Sequence, residues 1–288
     1  MLAIDFDSLW DYSKPDKTEQ NFREVLAELQ QDDPTALELL TQIARAQGLQ
    51  RKFEEAHKTL DVVEKNLNHD ASRARVRYLL ERGRALNSSG NADQSHPLFE
   101  QAEEMATQLS EDFYVVDAVH MLAIISSPPQ SLTLNLRAIK LAESSGQEKA
   151  RNWLGSLYNN TGWSYHDLGD YESALEIFQK AEAWHRSKGR VNETRIAKWT
   201  VGRTLRSMNK VEEALSHQME LEHEFESANE KDGYVFEEIG ECLLALNRME
   251  EAQSCFAEAY QLLSQDTSLA EQESTRLERL RELGRLST

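Results

Sequence analysis

The feature that most constrains this chain of 288 residues is an internal period of about forty residues. Its clearest unit combines a glycine between two tyrosines with a later Ala-x3-Phe-x2-Ala run: Tyr158, Gly162 and Tyr165, then Ala174, Phe178 and Ala181. The positions equivalent to that glycine in successive copies are Ala44, Gly83, Leu122, Gly162, Gly202 and Gly240. They are separated by 39, 39, 40, 40 and 38 residues. Self-similarity at such a period predicts a stacked array of six similar units.

Each unit is predicted to be a pair of antiparallel helices. Glycines and prolines number only 12 and 5, about half of their usual share, which disfavours turn-rich sheets and favours helices. A glycine lets two helices approach closely, and a bulky residue such as Phe178 fills the space beside the crossing. The copy centred on Leu122 is degenerate, yet its Pro128-Pro129 pair fits a turn, because proline ends one helix and is tolerated in the first turn of the next.

This pattern resembles the tetratricopeptide repeat family, whose helix-turn-helix signature combines W-x2-L-G-x2-Y, A-x3-F and a closing proline. The resemblance covers roughly residues 34–264 and is most specific at 158–181. The closing proline is absent, and the period exceeds the ~34 residues of the family, which implies longer helices. The stretches FDSLWDYSKPDKTEQNFREVL and LLTQIARAQGLQRKFEEAH are also similar to uncharacterised bacterial repeat proteins. The resemblance implies an all-α, right-handed superhelical solenoid of antiparallel helix pairs, with repeats of 38–40 residues.

The two ends of the chain are predicted to cap this array with helices near 18–30 and 267–285, because a terminal repeat exposes an apolar flank. The predicted organisation has three parts: an N-terminal extended segment and capping helix at 1–33, six repeats at 34–264, and a C-terminal capping helix at 265–288.

Charge and motifs restrict the classes of function. With 32 Lys and Arg against 50 Asp and Glu, the formal net charge is -18, which disfavours nucleic acids and anionic membranes as partners. Cys242 and Cys255 lack zinc-ligand spacing, so no metal is predicted. Phosphate-loop, GxGxxG, HExxH and GxSxG motifs are absent, which predicts a protein without enzymatic activity or cofactor. Since there is no signal sequence or apolar membrane span, a cytoplasmic location is expected.

The resemblance implies that function lies on a concave face formed by the first helix of each pair. The predicted peptide-binding residues on that face carry basic, aromatic or amide side chains: Arg45, Arg77, Arg84, Asn160, Trp163, Trp199, Arg203 and Arg206. Arginine offers a planar fork for carboxylates, and tryptophan offers a large contact surface at low entropic cost. These residues predict a site for an acidic or carboxylate-bearing peptide. In the alternative, the arginines pair with glutamates of adjacent helices and the tryptophans pack between helices.

The sequence therefore predicts a non-catalytic scaffold that binds a protein or peptide partner. The alternative is a regulatory receptor whose superhelix closes on a small peptide or metabolite. The first thirteen residues leave a further question open, because they combine Asp5, Asp7 and Asp11 with aromatic residues such as Trp10. In one interpretation they occupy the groove as a tethered ligand; in the other they cap the first repeat.

Overall fold

The computed structural model describes residues 6–29, 34–67 and 72–286. These residues form one short 3-10 helix, Phe6–Leu9, and sixteen α-helices, and they contain no β-strand. The helices are α1 (Pro15–Glu28), α2 (Pro34–Leu49), α3 (Phe53–Asn66), α4 (Arg73–Ser88), α5 (Ala92–Gln108), α6 (Asp112–Ile124), α7 (Pro128–Ser144), α8 (Glu148–Arg151), α9 (Leu154–Asp167), α10 (Tyr171–Ser187), α11 (Val191–Ser207), α12 (Val211–Ser227), α13 (Gly233–Ala245), α14 (Met249–Leu263), α15 (Thr267–Gln272) and α16 (Ser274–Leu283). The all-α class expected from the sequence is confirmed.

The helices are divided between two compact units, Met1–Leu157 and Tyr158–Thr288. In the first unit, helices that follow one another along the chain pack in antiparallel pairs: α2 with α3, α4 with α5, and α6 with α7. The first helices of neighbouring pairs, α2 and α4, also contact each other, and α1 packs on α2. This arrangement is a stack of helix pairs, as the repeat period predicts.

The second unit continues the same construction. Along Tyr158–Thr288, α10 packs on α11, α11 on α12, α12 on α13 and α13 on α14, and α16 closes the series by packing on α14. Two residues between paired helices, Gly169 and Asn209, have left-handed φ values of 80° and 60°. Glycine and asparagine adopt that conformation more readily than other residues, which explains their use between paired helices. The side chain of Asp170 then accepts a hydrogen bond from the Ser173 backbone N–H and caps α10.

Three of the four glycines that define the repeat lie against an aromatic ring of the second helix in the same pair. A Cβ atom added to Gly83, Gly162 or Gly240 would stand 2.4, 2.4 or 2.8 Å from the nearest ring atom sixteen residues later. The rings belong to Phe99, Phe178 and Phe256, all of which are buried. At Gly202 the corresponding neighbour is Gln218, whose Nε2 donates to the Trp199 carbonyl oxygen over 3.0 Å. At Gly83, Gly162 and Gly240 the paired helices cross so closely that a Cβ atom would overlap the phenylalanine ring, which explains the glycine at these positions.

Both ends differ in detail from the prediction. The first helix begins at Pro15 and not near 18, since proline suits the first turn. The expected single C-terminal helix is interrupted at Glu273 and forms α15 and α16. The short helix α8, inserted before α9, was not predicted. The predicted boundary at residue 33 lies outside the described residues.

Candidate functional site

Three of the predicted site residues, Arg45, Arg77 and Arg84, lie in the first unit. Arg84 donates to Glu81 over 2.5 Å and also to Asp117, and both carboxylates are buried. Burial disfavours the charged guanidinium, but the attraction of Asp117 and Glu81 is stronger and raises the pKa of Arg84. Arg45 also reaches Glu81, with Nη1 3.4 Å from Oε1. Two arginines thus face two carboxylates, and their charges balance.

Arg77 is the most enclosed of these three residues. It is buried, its Nε lies 3.3 Å from Oε2 of Glu38, and its guanidinium lies 5.3 Å from the Tyr114 ring centroid. An arginine held in this way between a carboxylate and a ring contributes packing and local charge balance. The interpretation in which arginines pair with acids of neighbouring helices therefore describes the geometry of the first unit.

The N-terminal segment lies on this part of the first unit. Phe6 is buried in a cluster with Phe22, and the Trp10 ring packs edge-on against Phe22 with centroids 5.2 Å apart. The Arg45 guanidinium lies 5.7 Å from the Trp10 centroid and 5.6 Å from that of Tyr12. The segment therefore covers apolar side chains and touches one predicted groove arginine. The Trp10 and Tyr12 rings also stack on each other, with their centroids 4.8 Å apart. Asp5 lies outside the described residues.

The remaining predicted residues lie in the second unit, where three aromatic side chains form an aromatic row: Trp163, Trp199 and Tyr234. The Trp163 and Trp199 centroids are 6.3 Å apart, as are those of Trp199 and Tyr234. Trp199 Nε1 donates to the Tyr234 carbonyl oxygen over 3.0 Å, which fixes the middle ring. Asn160 is half-buried one helical turn before Trp163 on α9. The row therefore crosses α9, α11 and α13, and each ring retains some exposed surface.

Tyr234 was not among the predicted residues, although the sequence contains a signal for it. The three aromatic residues recur at intervals of 36 and 35 residues, slightly shorter than the repeat. Each aromatic residue therefore lies nearer the start of its helix than the preceding one, and Tyr234 is in the first turn of α13. A prediction that considers only positions close to the repeat glycine does not include a residue whose place in the helix shifts from one repeat to the next.

Beside the aromatic row lie Arg203 and Arg206, here called the basic pair. Arg206 donates from Nε and Nη2 to the two oxygens of Glu238, the second bond being 3.1 Å long. Arg203 Nε lies 3.7 Å from Glu238 Oε2, and Arg203 Nη1 donates to Ser207 Oγ over 2.6 Å. Glu238 is buried, whereas both arginines are part-exposed. One carboxylate faces two guanidiniums, so these three side chains carry one net positive charge.

Neighbouring ionisable groups do not reverse that charge. Glu241 of α13 pairs with Arg279, and Glu237 pairs with Arg276 over 2.5 Å. These two carboxylates of α13 are therefore paired with arginines of α16. His166 Nε2 lies 2.9 Å from Ser207 Oγ, and burial together with the positive charge of Arg203 lowers the pKa of this histidine. His166 is thus neutral at physiological pH.

The described ranges contain no group of three His, Cys, Asp or Glu side chains placed to hold a metal ion. Cys242 and Cys255 are free thiols, and burial raises their pKa values to about 12 and about 11. No helix among the residues described has the length and apolar character needed to cross a bilayer.

Comparison with known proteins agrees with this architecture. The model of the tetratricopeptide repeat family matches residues 150–185, and no curated protein matches the sequence significantly. The apo form of RapI is similar with a TM-score of 0.75 and 11% identity, covering 94% of this chain and 77% of that protein.

Two further solved structures are also similar. A signal transduction ATPase from Pyrococcus horikoshii, which has a tetratricopeptide repeat sensor, gives a TM-score of 0.71 and 15% identity over 89% of this chain and 39% of its own. NprR in complex with its cognate peptide NprX gives 0.57 and 16% over 96% of this chain and 82% of its own. The chain therefore has the helical-repeat fold of these structures, and its segment at 150–185 matches the tetratricopeptide repeat family in sequence as well.

Proposed function

We propose that the second unit binds a peptide across α9, α11 and α13, and that the basic pair receives a carboxylate of that peptide. The observation that carries this proposal is the sharing of buried Glu238 by Arg203 and Arg206 beside the aromatic row. NprR, whose fold is similar, is a protein in complex with a peptide.

The charge of the basic pair supports an acidic or carboxylate-bearing ligand. Arg206 already makes a two-pronged contact with Glu238, whereas Arg203 lies 3.7 Å from the same carboxylate and bonds a neutral serine. A ligand carboxylate next to Arg203 restores the balance of two positive and two negative groups. Charge-assisted bonds of this kind are about twice as strong as neutral ones.

The aromatic row supports an extended peptide backbone as the ligand. Trp163 and Trp199 present part of their rings on neighbouring helices, and tryptophan is enriched among residues that dominate binding energy. The Trp199 indole is already fixed by its bond to the Tyr234 carbonyl, so little side-chain entropy is lost when a ligand binds.

The predicted roles of Arg45, Arg77 and Arg84 remain predictions, and the proposal for the second unit does not depend on them. Arg84 lies between two buried carboxylates, so a ligand carboxylate would compete with existing partners. Truncating Arg84 would leave buried Asp117 without its cationic partner, which is strongly destabilising. Arg84 is for that reason unsuitable as a binding-site variant.

A regulatory receptor is the second candidate function. The observation that favours it is the similarity to a tetratricopeptide repeat sensor within a signal transduction ATPase. In either role we propose a non-catalytic protein that acts in the cytoplasm, where the free thiols Cys242 and Cys255 stay reduced.

Affinity capture from an extract of the native organism tests the binding role. The full chain is compared with an Arg203→Gln variant, which leaves Arg206 paired with buried Glu238, and with an Arg186→Gln control that removes an exposed arginine paired within its own helix. We expect quantitative mass spectrometry to show partners enriched by the native chain and the control, and lost from the site variant. Equal enrichment by all three proteins would overturn the proposal.

A further inference from the structure

One face of α11 changes character along its length. Asn192, Ile196, Trp199, Arg203 and Arg206 follow one another at spacings of four, three, four and three residues, which places them on one helical stripe. After Asn192, Ile196 and Trp199 form an apolar half, and the half nearer the end of the helix is the basic pair. A ligand lying along this stripe meets an apolar surface at one end and a positive charge at the other.

The apolar half of the stripe borders a pocket of about 390 Å³. Its apolar walls are Ile196 and Trp199 of α11, Phe225 of α12, and Tyr234 and Val235 of α13. This volume lies near the lower end for small-ligand pockets, which begin at about 300 Å³, and suits one large side chain. All of these walls belong to the second unit.

The charged residues that line this pocket already have partners. Arg195 pairs with Glu230 over 2.6 Å, donates to the Glu224 carbonyl oxygen and lies 4.4 Å from the Phe225 centroid. Asp232 accepts hydrogen bonds from the backbone N–H groups of Tyr234 and Val235 and caps α13. The pocket therefore offers its apolar walls to a ligand, and its two charged lining residues, Arg195 and Asp232, are opposite in sign.

Two of the apolar walls remain accessible to solvent. Ile196 is 59% exposed and Tyr234 is 37% exposed. Because both line the pocket, a ligand group that enters it covers part of both side chains. Covering apolar area is favourable by roughly 25 cal/mol per Å². An uncharged, apolar group is accordingly the ligand part that complements this site.

We propose that this pocket holds a large apolar side chain, aromatic or long aliphatic, of the same peptide whose carboxylate meets the basic pair. This inference rests on the proposed function. Ile196 and Arg203 are seven residues apart on one helix, which corresponds to about 10 Å at a rise of 1.5 Å per residue. An extended peptide covers that distance in about three residues at roughly 3.3 Å each. The recognised motif is a large apolar residue about three positions from an acidic side chain or a terminal carboxylate.

A random dodecapeptide library displayed on phage and panned on the full chain provides the test. We expect enriched sequences to combine an aromatic or long aliphatic residue with an acidic residue about three positions away. The most enriched sequence is then synthesised with a fluorescein label, and its Kd is measured by fluorescence anisotropy. Two glycines inserted between the apolar and acidic residues should weaken binding about tenfold, because the two ends no longer reach their sites together.

Two matched variants of α11 separate the pocket from the rest of the helix. Ile196→Ser should raise Kd about tenfold, as expected for loss of an apolar contact at a binding centre. Val191→Ser removes a β-branched side chain of equal exposure, 60%, that does not line the pocket, and should leave Kd within twofold. Circular dichroism melting curves of both variants establish that they fold alike.

The outcomes distinguish this inference from the function on which it rests. If no sequence is enriched, the proposed peptide-binding function fails. If enriched peptides bind in a manner that depends on Arg203 and Arg206 but lack an apolar residue, or are indifferent to Ile196→Ser, the function stands and the pocket assignment is overturned.

Discussion

The Phe178 ring occupies the space in which a side chain of Gly162 would begin: a Cβ atom added to Gly162 would stand 2.4 Å from Phe178 Cε1. Phe178 itself is fully buried. The close approach of α9 and α10 therefore depends on the absence of a side chain at Gly162, because the Phe178 ring fills that space. A change at either residue alone disturbs the packing.

Gly162→Leu should lower the free energy of unfolding by roughly 1 to 3 kcal/mol or more, because it overpacks this crossing. Gly48→Ala is the matched control, since Gly48 lies within α2 and a Cβ added there has nothing within 4 Å. That control should be neutral or stabilising by up to about 1 kcal/mol, as alanine favours helix. Thermal unfolding followed by circular dichroism measures both, and equal melting curves for native chain and Gly162→Leu would contradict the assigned role.

Trp199→Ala should weaken binding of a peptide selected from the library by about 2 kcal/mol, roughly thirtyfold. Trp184→Ala, which removes a part-buried tryptophan of α10 outside the aromatic row, should have no effect on Kd.

Affinity should also fall as salt rises, because attraction between the basic pair and an acidic peptide is screened. Anisotropy titrations at several salt concentrations measure both effects, and a salt-independent Kd would rule out a charge-based contact.

Deletion of residues 1–13 should lower the melting temperature, because it removes buried Phe6 and the Trp10 contact with Phe22. Phe6→Ala alone should cost about 3 to 5 kcal/mol, whereas Tyr12→Ala, at an exposed position, should leave stability nearly unchanged. If the segment only caps, the deletion leaves peptide affinity as it was. Tighter binding by the deleted or the Tyr12→Ala protein would instead show that the segment competes with ligand at Arg45.

Stability should decrease as pH falls from about 7.5 to about 5.5, and His120 should contribute to the decrease. Burial lowers the pKa of His120, with Arg84 acting in the same direction and Asp117 against it. The folded chain therefore binds the proton at a lower pH than the unfolded chain, so this contribution is complete above pH ~6.5 and is lost below it. His120→Gln should flatten the dependence measured by urea unfolding. His223→Gln, at an exposed site, should not.

Much of the fold was predictable because packing inside a repeat follows fixed sequence spacing. The glycines at 83, 162 and 240 each meet a phenylalanine sixteen residues later. In the degenerate copy the sizes are reversed: Leu122 takes the glycine position, and Ala138 takes the phenylalanine position, both buried. The combined volume of the two side chains at the crossing is thus similar in these copies, although the residues differ. Pro128 begins α7, as expected.

The candidate site was less predictable because it depends on contacts between successive repeats. The spacing correctly brought Trp163 and Trp199 together, but it did not indicate which arginines had partners. Arg45, Arg84 and Arg206 each reach a carboxylate 32 to 36 residues later, on the first helix of the next pair. Such pairing depends on side-chain reach and burial, which a repeat pattern does not encode. The binding roles of these residues accordingly stay predictions.

The environment of the two native thiols, one buried and one half-buried, makes this chain suitable for selective chemical labelling. With pKa values of about 12 for Cys242 and about 11 for Cys255, fewer than about one thiol in a thousand is a reactive thiolate near neutral pH. A cysteine introduced at exposed Val191 or Met249 would react with a maleimide far sooner than either native residue. A fluorophore can therefore be attached at an exposed position of the second unit without first removing the natural cysteines.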